Sequence, residues 1–121
     1  MHAIAHVRTR YYQLVKRLGE PDFVREGSYL NPTEKDLEHC YDSKVSVMWG
    51  MDYEGKKEVE EKYKKWGFAV NDWKEDKTPK GLYMWTIRGE NEQAMYKFER
   101  MTGLTAIPLF WKREDVKEEV E

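Results

Sequence analysis

Short segments in which apolar and polar residues alternate run through the middle of the chain. Val45–Tyr53, Phe68–Lys74 and Leu82–Arg88 each place bulky apolar side chains at every second position. A period of two is the pattern of a strand with one buried face. The polar turn Glu75–Gly81 that joins the last two segments is too short for a parallel crossover. We therefore expect these two strands to form an antiparallel hairpin.

Three other segments carry the periodicity of amphipathic helices. Residues 9–18, 56–66 and 91–102 repeat apolar side chains every three or four positions. Thr9 and Asn91 are the predicted N-caps of the first and last of these helices, because their short side chains can accept a hydrogen bond from the first helical turn. Glycines that can close the helices follow directly, at Gly19, Gly67 and Gly103.

Three weaker segments complete the predicted fold. His2–Val7 is predicted to form a short strand, residues 32–41 a short helix, and Ile107–Trp111 an edge strand. The chain is then an α+β protein: a small antiparallel sheet of three to four strands, with helices packed on one face and an inserted helix between two strands. We predict that residues 1–111 form a single α+β domain and that residues 112–121 form an acidic flexible tail.

Composition agrees with one folded domain. The chain has 121 residues, of which 40% are hydrophobic and 36% charged, and its net charge is -2. This charge provides no general attraction to nucleic acid or to an anionic membrane. No apolar run is long enough to span a bilayer, and the lone Cys40 fits a reducing compartment. We expect a cytoplasmic protein that does not bind membranes.

The two faces of the predicted sheet differ in character. One face is core and contains Val47, Trp49, Phe68, Val70, Tyr83, Trp85 and Ile87. The opposite face mixes polar residues with Met48, Ala69, Trp73, Leu82 and Met84. So much apolar surface needs a cover. The helix 56–66, a second copy in a homodimer, and a bound ligand are the three candidates, and a cover from within the chain is the simplest.

A candidate ligand site lies near the ends of two adjacent strands. Trp73 can stack on a planar ligand, Lys74 and Arg88 can neutralise an anion, and Asn71 and Thr86 can form hydrogen bonds. Together they suit a small nucleotide-like molecule. The competing interpretation is simpler: Trp73 packs under the helix 56–66, and the two cations pair with neighbouring carboxylates.

Basic and aromatic residues also alternate around the first helix, at Arg8, Arg10, Tyr12, Lys16 and Arg17. Such a surface can contact phosphates while a tyrosine stacks on a base. The competing interpretation is an ordinary solvated helix face. The net charge of -2 also counts against nucleic acid as a partner.

Residues suited to metal binding or catalysis are sparse. His2, His6, His39 and Cys40 are the only histidine and cysteine side chains. His2 and His6 lie four apart in a predicted strand, which separates their rings by roughly 13 Å, and His39 and Cys40 are adjacent. No glycine-rich phosphate loop or nucleophile motif occurs. We predict no catalytic residues, no metal and no cofactor.

Three short motifs stand in a distinctive order. Leu18-Gly19-Glu20-Pro21 ends the first helix, Asp72-Trp73-Lys74 ends a strand, and the strand Tyr83–Arg88 reaches Gly89 before the last helix. In this respect residues 9–103 resemble a group of small bacteriophage proteins. The helix 56–66 departs from that group, in which a tight hairpin is expected. The resemblance implies a viral origin and a compact α+β fold, but no established activity.

The sequence therefore favours a non-enzymatic viral accessory protein that acts by binding a host protein or a small nucleotide-like ligand. Counter-defence is a natural role for such phage products, either by inhibiting a host defence protein or by sequestering a nucleotide signal. Two alternatives remain: a DNA- or RNA-binding regulator that uses the basic first helix, and a small nucleotide hydrolase that uses scattered carboxylates.

Overall fold

A computed structural model describes residues 2–25, 27, 31, 33–34, 45–51 and 55–109. The elements, in chain order, are β1 (His2–Arg10), α1 (Tyr11–Leu18), β2 (Phe23–Val24), β3 (Val47–Trp49), α2 (Lys57–Trp66), β4 (Phe68–Asn71), β5 (Leu82–Gly89), α3 (Glu92–Thr102) and β6 (Ile107–Pro108). The predicted helix at 32–41 and the acidic tail at 112–121 lie wholly or mostly outside the described residues.

The described strands form one antiparallel sheet in the order β2-β3-β4-β5-β1-β6. The α+β class is confirmed, as are the β4–β5 hairpin and the helix inserted between β3 and β4. The sheet has six strands, however, so the prediction of three to four was wrong. The strand β2 contains only two residues, which is too short to show alternation.

The first strand is longer than its sequence pattern predicts. It continues past Val7 to Arg10 and pairs with β5 along its whole length, with an irregularity between Ala3 and Ala5. Thr9 therefore lies in β1 and is not the N-cap of α1, which was a wrong prediction. The N-cap position is Arg10, which makes no side-chain capping bond. Pairing across the strands outweighs the local capping preference here.

The other helix ends follow the sequence signals. The Asn91 side chain accepts a hydrogen bond of 2.9 Å from the backbone N–H of Gln93, which confirms the predicted cap of α3. Gly67 and Gly103 adopt the left-handed conformation directly after α2 and α3. None of the helices in the described ranges is long and apolar enough to cross a membrane.

The helices α1, α2 and α3 all pack on one face of the sheet. The indoles of Trp49 and Trp85 are fully buried there, with ring centroids 5.6 Å apart in an edge-to-face arrangement. Leu14 of α1, Trp66 of α2 and Phe98 of α3 belong to the same core. The predicted core face is confirmed, except that Tyr83 is only half-buried.

The connection after α1, which begins with Leu18-Gly19-Glu20-Pro21, is fastened by hydrogen bonds to two other elements. The Gly19 carbonyl accepts a hydrogen bond of 2.8 Å from the indole N–H of Trp49. Asp22 then uses both carboxylate oxygens: one accepts from the Gly50 N–H at 2.6 Å, and the other lies 2.8 Å from the Lys62 ammonium. The connection therefore holds α1, β3 and α2 together.

Gly50 is the position where this arrangement needs glycine. Its φ is +80°, and a Cβ atom there would lie 2.9 Å from the Phe68 carbonyl oxygen. We expect Gly50→Ala to lower the free energy of unfolding by about 2 kcal/mol or more, because a left-handed residue is strained and the neighbour is backbone. Urea unfolding monitored by tryptophan fluorescence measures this loss.

Gly81→Ala is the matched control, because nothing lies within 4 Å of the Cβ position there and its φ is not in the left-handed region. We expect that substitution to be neutral or stabilising by up to about 1 kcal/mol, through the unfolded chain. Equal unfolding midpoints for the two variants would contradict the structural requirement at Gly50.

Candidate functional site

The face of the sheet opposite the helices is covered over β3 and β4. Met48 and Ala69 are each only 1% exposed, although they point away from the main core. The prediction that the chain shields part of this face is confirmed here. The helix α2 does not provide the cover, because its Trp66 ring stacks on Phe68 at 5.1 Å, on the core face.

The same face is open over β5 and β1. Trp73 is 41% exposed, Leu82 52% and Met84 41%. Arg8 and Arg10 are exposed beside them, as the cross-strand partners of Met84 and Leu82. We call these five residues the exposed sheet patch. It combines a large apolar area with two cations.

The structure brings the five predicted ligand residues close together. Asn71 and Thr86 are direct cross-strand partners. With its amide oriented to satisfy both neighbours, Asn71 accepts a hydrogen bond of 2.8 Å from Nε of Arg88 and donates one of 3.2 Å to the Asp72 carbonyl. The Arg88 guanidinium carbon lies 5.8 Å from the centroid of the Trp73 ring. These side chains therefore form one connected cluster.

The cluster supports Trp73 and does not form an open pocket. Asn71 and Thr86 are only 2% and 6% exposed, so they offer little surface to a ligand. Lys74 has a positive φ of 56°, and its ammonium lies 5.9 Å from the centroid of the Trp73 ring. Neither Lys74 nor Arg88 forms an ion pair within the described residues. The guanidinium of Arg88 holds the indole from one side by cation–π attraction.

Tyr83 fixes the backbone of Trp73. Its hydroxyl accepts a hydrogen bond of 3.1 Å from the Trp73 N–H and donates one of 3.3 Å to the Trp73 carbonyl. Burial raises the pKa of Tyr83 to about 12, so the hydroxyl keeps its proton at neutral pH. The sequence pattern identified Tyr83 only as a core residue, because the alternation of apolar and polar residues does not indicate which group a tyrosine hydroxyl contacts.

Asp72 anchors the same segment from inside the sheet. Its fully buried carboxylate accepts hydrogen bonds from the Ser46 N–H at 2.8 Å, the Ser46 hydroxyl at 2.5 Å and the Val47 N–H at 3.1 Å. Burial raises the pKa of Asp72, while these hydrogen bonds act in the opposite direction. The Asp-Trp-Lys triplet therefore joins a buried anchor to an exposed indole.

Arg25 is a second buried anchor that sequence reasoning missed. It is 5% exposed and donates hydrogen bonds to the carbonyl oxygens of Gly27, Glu75 and Asp76, at 2.7–2.9 Å. It thus fastens the chain after β2 to the connection between β4 and β5. No local pattern in the sequence indicates this role, since the partners are backbone atoms far along the chain.

The five predicted nucleic-acid contacts do not share one surface. Arg8 and Arg10 lie on the open face of the sheet, whereas α1, which carries Tyr12 and Lys16, packs on the other face. The fifth residue, Arg17, forms an intramolecular contact: its guanidinium donates a hydrogen bond of 2.5 Å to the Thr102 carbonyl.

Two grooves adjoin α2, and neither contains a predicted ligand residue. The first, the α2–α3 groove, has a volume of about 390 Å³ and is lined by Tyr63, Lys64, Lys65, Trp66, Gly67, Glu90, Asn91, Gln93, Ala94, Lys97 and Arg100. The second, of about 410 Å³, is lined by Gly50, Met51, Gly55, Val59, Glu60, Tyr63 and Lys64. Sequence reasoning missed the α2–α3 groove because its cations resemble ordinary solvated helix residues.

Within the described ranges, no three histidine, cysteine, aspartate or glutamate side chains come together as a metal site. His39 and Cys40 lie outside those ranges. Comparisons of the chain with protein-family models, curated proteins and solved structures return no match.

The burial of Asp72 makes stability depend on pH. Because the pKa is raised in the folded state, this group's stabilising contribution is complete below the unfolded pKa of about 4 and is lost as the pH rises through the folded pKa. Asp72→Asn removes the charge and keeps one acceptor oxygen. We therefore expect the wild type to lose stability relative to Asp72→Asn as the pH rises from the unfolded pKa to the folded pKa of Asp72. Urea unfolding of both proteins at a series of pH values measures this difference in unfolding free energy.

Asp72→Ala provides the control for the hydrogen bonds. It leaves the Ser46 and Val47 amides without their acceptor, and we expect a loss of about 1–3 kcal/mol for each unsatisfied group. A wild-type advantage over Asp72→Asn that grows with rising pH would show that the folded pKa is lowered instead.

Removing the Tyr83 hydroxyl tests how Trp73 is held. Tyr83→Phe keeps the ring that packs edge-to-face on Trp85 at 5.1 Å and removes both bonds to Trp73. We expect hydrogen exchange at the Trp73 amide to accelerate about five-fold, the equivalent of about 1 kcal/mol. The Ile87 amide, in the middle of the β5 ladder, is the internal reference. Unchanged exchange at Trp73 would mean that other contacts hold this segment.

Proposed function

We propose that this protein acts by binding, without catalysis, and that the exposed sheet patch contacts a partner protein with an acidic rim. The observation that carries the proposal is the combination of three large exposed apolar side chains, Trp73, Leu82 and Met84, with Arg8 and Arg10. Tryptophan and arginine are the residue types that most often dominate binding energy at protein interfaces.

The way Trp73 is held supports this proposal. Its backbone is bonded to the Tyr83 hydroxyl, and its ring lies against the Arg88 guanidinium. An aromatic side chain that is already positioned loses less conformational entropy when a partner covers it. The cluster first expected to bind a nucleotide therefore favours a role in presenting the indole.

Charge favours a different protein over a second copy as the partner. Neither β1 nor β5 contains an aspartate or glutamate, whereas Arg8 and Arg10 both lie on the patch. A symmetric dimer through this surface would bring four arginines together without a compensating acid from either strand. An acidic rim on another protein complements the patch.

The resemblance to small bacteriophage proteins supports a partner from the host cell. Inhibition of a host defence protein is the role that we propose for such an interaction, in the host cytoplasm. The separation of the five basic residues onto different surfaces gives the nucleic-acid alternative less support. No arrangement of the described side chains favours a hydrolase.

The test uses two methionines with similar exposure on opposite faces. Met84 is 41% exposed on the patch, and Met101 is 38% exposed on α3. Immobilised wild type, Met84→Glu and Met101→Glu are each exposed to a lysate of the host cells, and retained proteins are identified by mass spectrometry. We expect one protein to be retained by the wild type and Met101→Glu but lost by Met84→Glu, since the new carboxylate repels an acidic rim.

Calorimetry with that purified partner then measures the interaction. Trp73→Ala should weaken binding by about 30-fold or more, the equivalent of at least 2 kcal/mol for a dominant contact. Equal retention by all three proteins would refute the proposal. Concentration-dependent dimerisation of the wild type that Met84→Glu abolishes would assign the patch to a second copy instead.

A further inference from the structure

The α2–α3 groove concentrates positive charge in a concave site. Four cationic side chains, Lys64, Lys65, Lys97 and Arg100, line it, together with the carboxylate of Glu90. None of the four forms an ion pair within the described residues, where the Lys62–Asp22 pair occurs instead. No carboxylate of the described residues therefore neutralises these four charges by direct pairing.

The two helices place these cations on facing surfaces. Gln93, Lys97 and Arg100 follow one another at spacings of four and three residues, so they project from one side of α3. Lys64 and Lys65 belong to the last turn of α2, opposite them. Cations from two separate elements thus meet across one groove, as in sites that clamp a charged group between them.

Neutral groups of the groove add hydrogen-bonding capacity and a wall. Gln93 is exposed, and its side-chain amide can both donate and accept hydrogen bonds. Trp66 is almost fully buried and stacks on Phe68, so its indole forms a fixed wall. The hydroxyl of Tyr63 is buried without a hydrogen-bond partner in the described part of the chain.

The groove has the size of a small-molecule site. Its volume of about 390 Å³ lies within the range of roughly 300–1,000 Å³ that is typical of ligand sites. Acidic residues near the cations, among them Glu61, Glu92 and Glu99, interrupt any longer basic track along the two helices. A long nucleic-acid strand would meet these carboxylates, whereas a compact anion within the groove would meet only that of Glu90.

We propose that the α2–α3 groove binds a small phosphate-bearing anion with at least two negative charges, of the class of a nucleoside diphosphate. The phosphates lie between the cations of α2 and those of α3, and Lys97 and Arg100 supply the charge-assisted hydrogen bonds from α3. This site is separate from the exposed sheet patch, because α2 and α3 pack on the opposite face of the sheet.

Titration calorimetry of the full chain tests the proposal with ADP, inorganic pyrophosphate and adenosine. We expect ADP and pyrophosphate to bind saturably and adenosine not to bind. Lys97→Gln combined with Arg100→Gln should weaken binding of both anions by about ten-fold or more, because two charge-assisted contacts are lost. Added salt should weaken wild-type binding as well.

Lys16→Gln combined with Lys77→Gln is the matched control. It removes two exposed cations outside the groove and changes the net charge of the protein by the same amount. We expect its affinity for ADP to equal that of the wild type. Pyrophosphate should also shift the amide resonances of Gly67 and Gln93, which line the groove, in nuclear magnetic resonance spectra.

Several results would overturn the proposal: no saturable binding of ADP or pyrophosphate, equal weakening in both double variants, or tight binding of a single-stranded oligonucleotide through Lys97 and Arg100 in preference to ADP. Met84→Glu keeps the two proposals apart. It should bind ADP as the wild type does, so loss of the partner protein and loss of the anion are separate outcomes.

Discussion

The antiparallel pairing of β1 with β5 is the interaction on which the rest of the structure depends. These two strands are the longest of the sheet and pair from His2–Gly89 to Arg10–Leu82. On one face the pairing buries Trp85, whose indole donates a hydrogen bond to the Thr9 carbonyl. On the other face the pairing places Arg8 and Arg10 beside the exposed side chains of Met84 and Leu82. One register thus defines both the core and the exposed sheet patch, and a shift by one residue would exchange them.

The sequence predicted the parts of the fold that are determined locally. Alternating aromatic residues identified the core face, and Asn91 identified the start of α3, because each signal lies within a few residues of its effect. The extent of β1 and the existence of β2 depend on contacts from distant parts of the chain. From the sequence alone, Arg8 and Arg10 resemble the start of a basic helix, and only their pairing with β5 shows that they belong to a strand. Likewise, no residue near β2 indicates that Arg25 forms hydrogen bonds with the connection after β4.

The candidate sites divide in the same way. Asn71, Thr86 and Arg88 could be placed together from the sequence, because a short hairpin fixes which residues oppose each other. The hydrogen bonds among their polar groups could not be predicted from the sequence. These bonds depend on how deeply the face of the sheet opposite the helices is buried. The α2–α3 groove could not be predicted from the sequence for a different reason. A lysine beside glutamates on a helix indicates a solvated surface, and only the packing of two helices places such lysines opposite another basic helix face.

The end of β4 links the interior of the protein to its open face. Asp72 bonds to the start of β3 inside the sheet, and the next residue, Trp73, lies exposed on the patch. Because the buried carboxylate and the Tyr83 hydroxyl hold consecutive residues, the backbone at Trp73 is tied to both β3 and β5. A contact surface held in this way loses little freedom on binding. In the proposed function, the buried polar groups keep the backbone of Trp73 in place, although none of them need touch the partner.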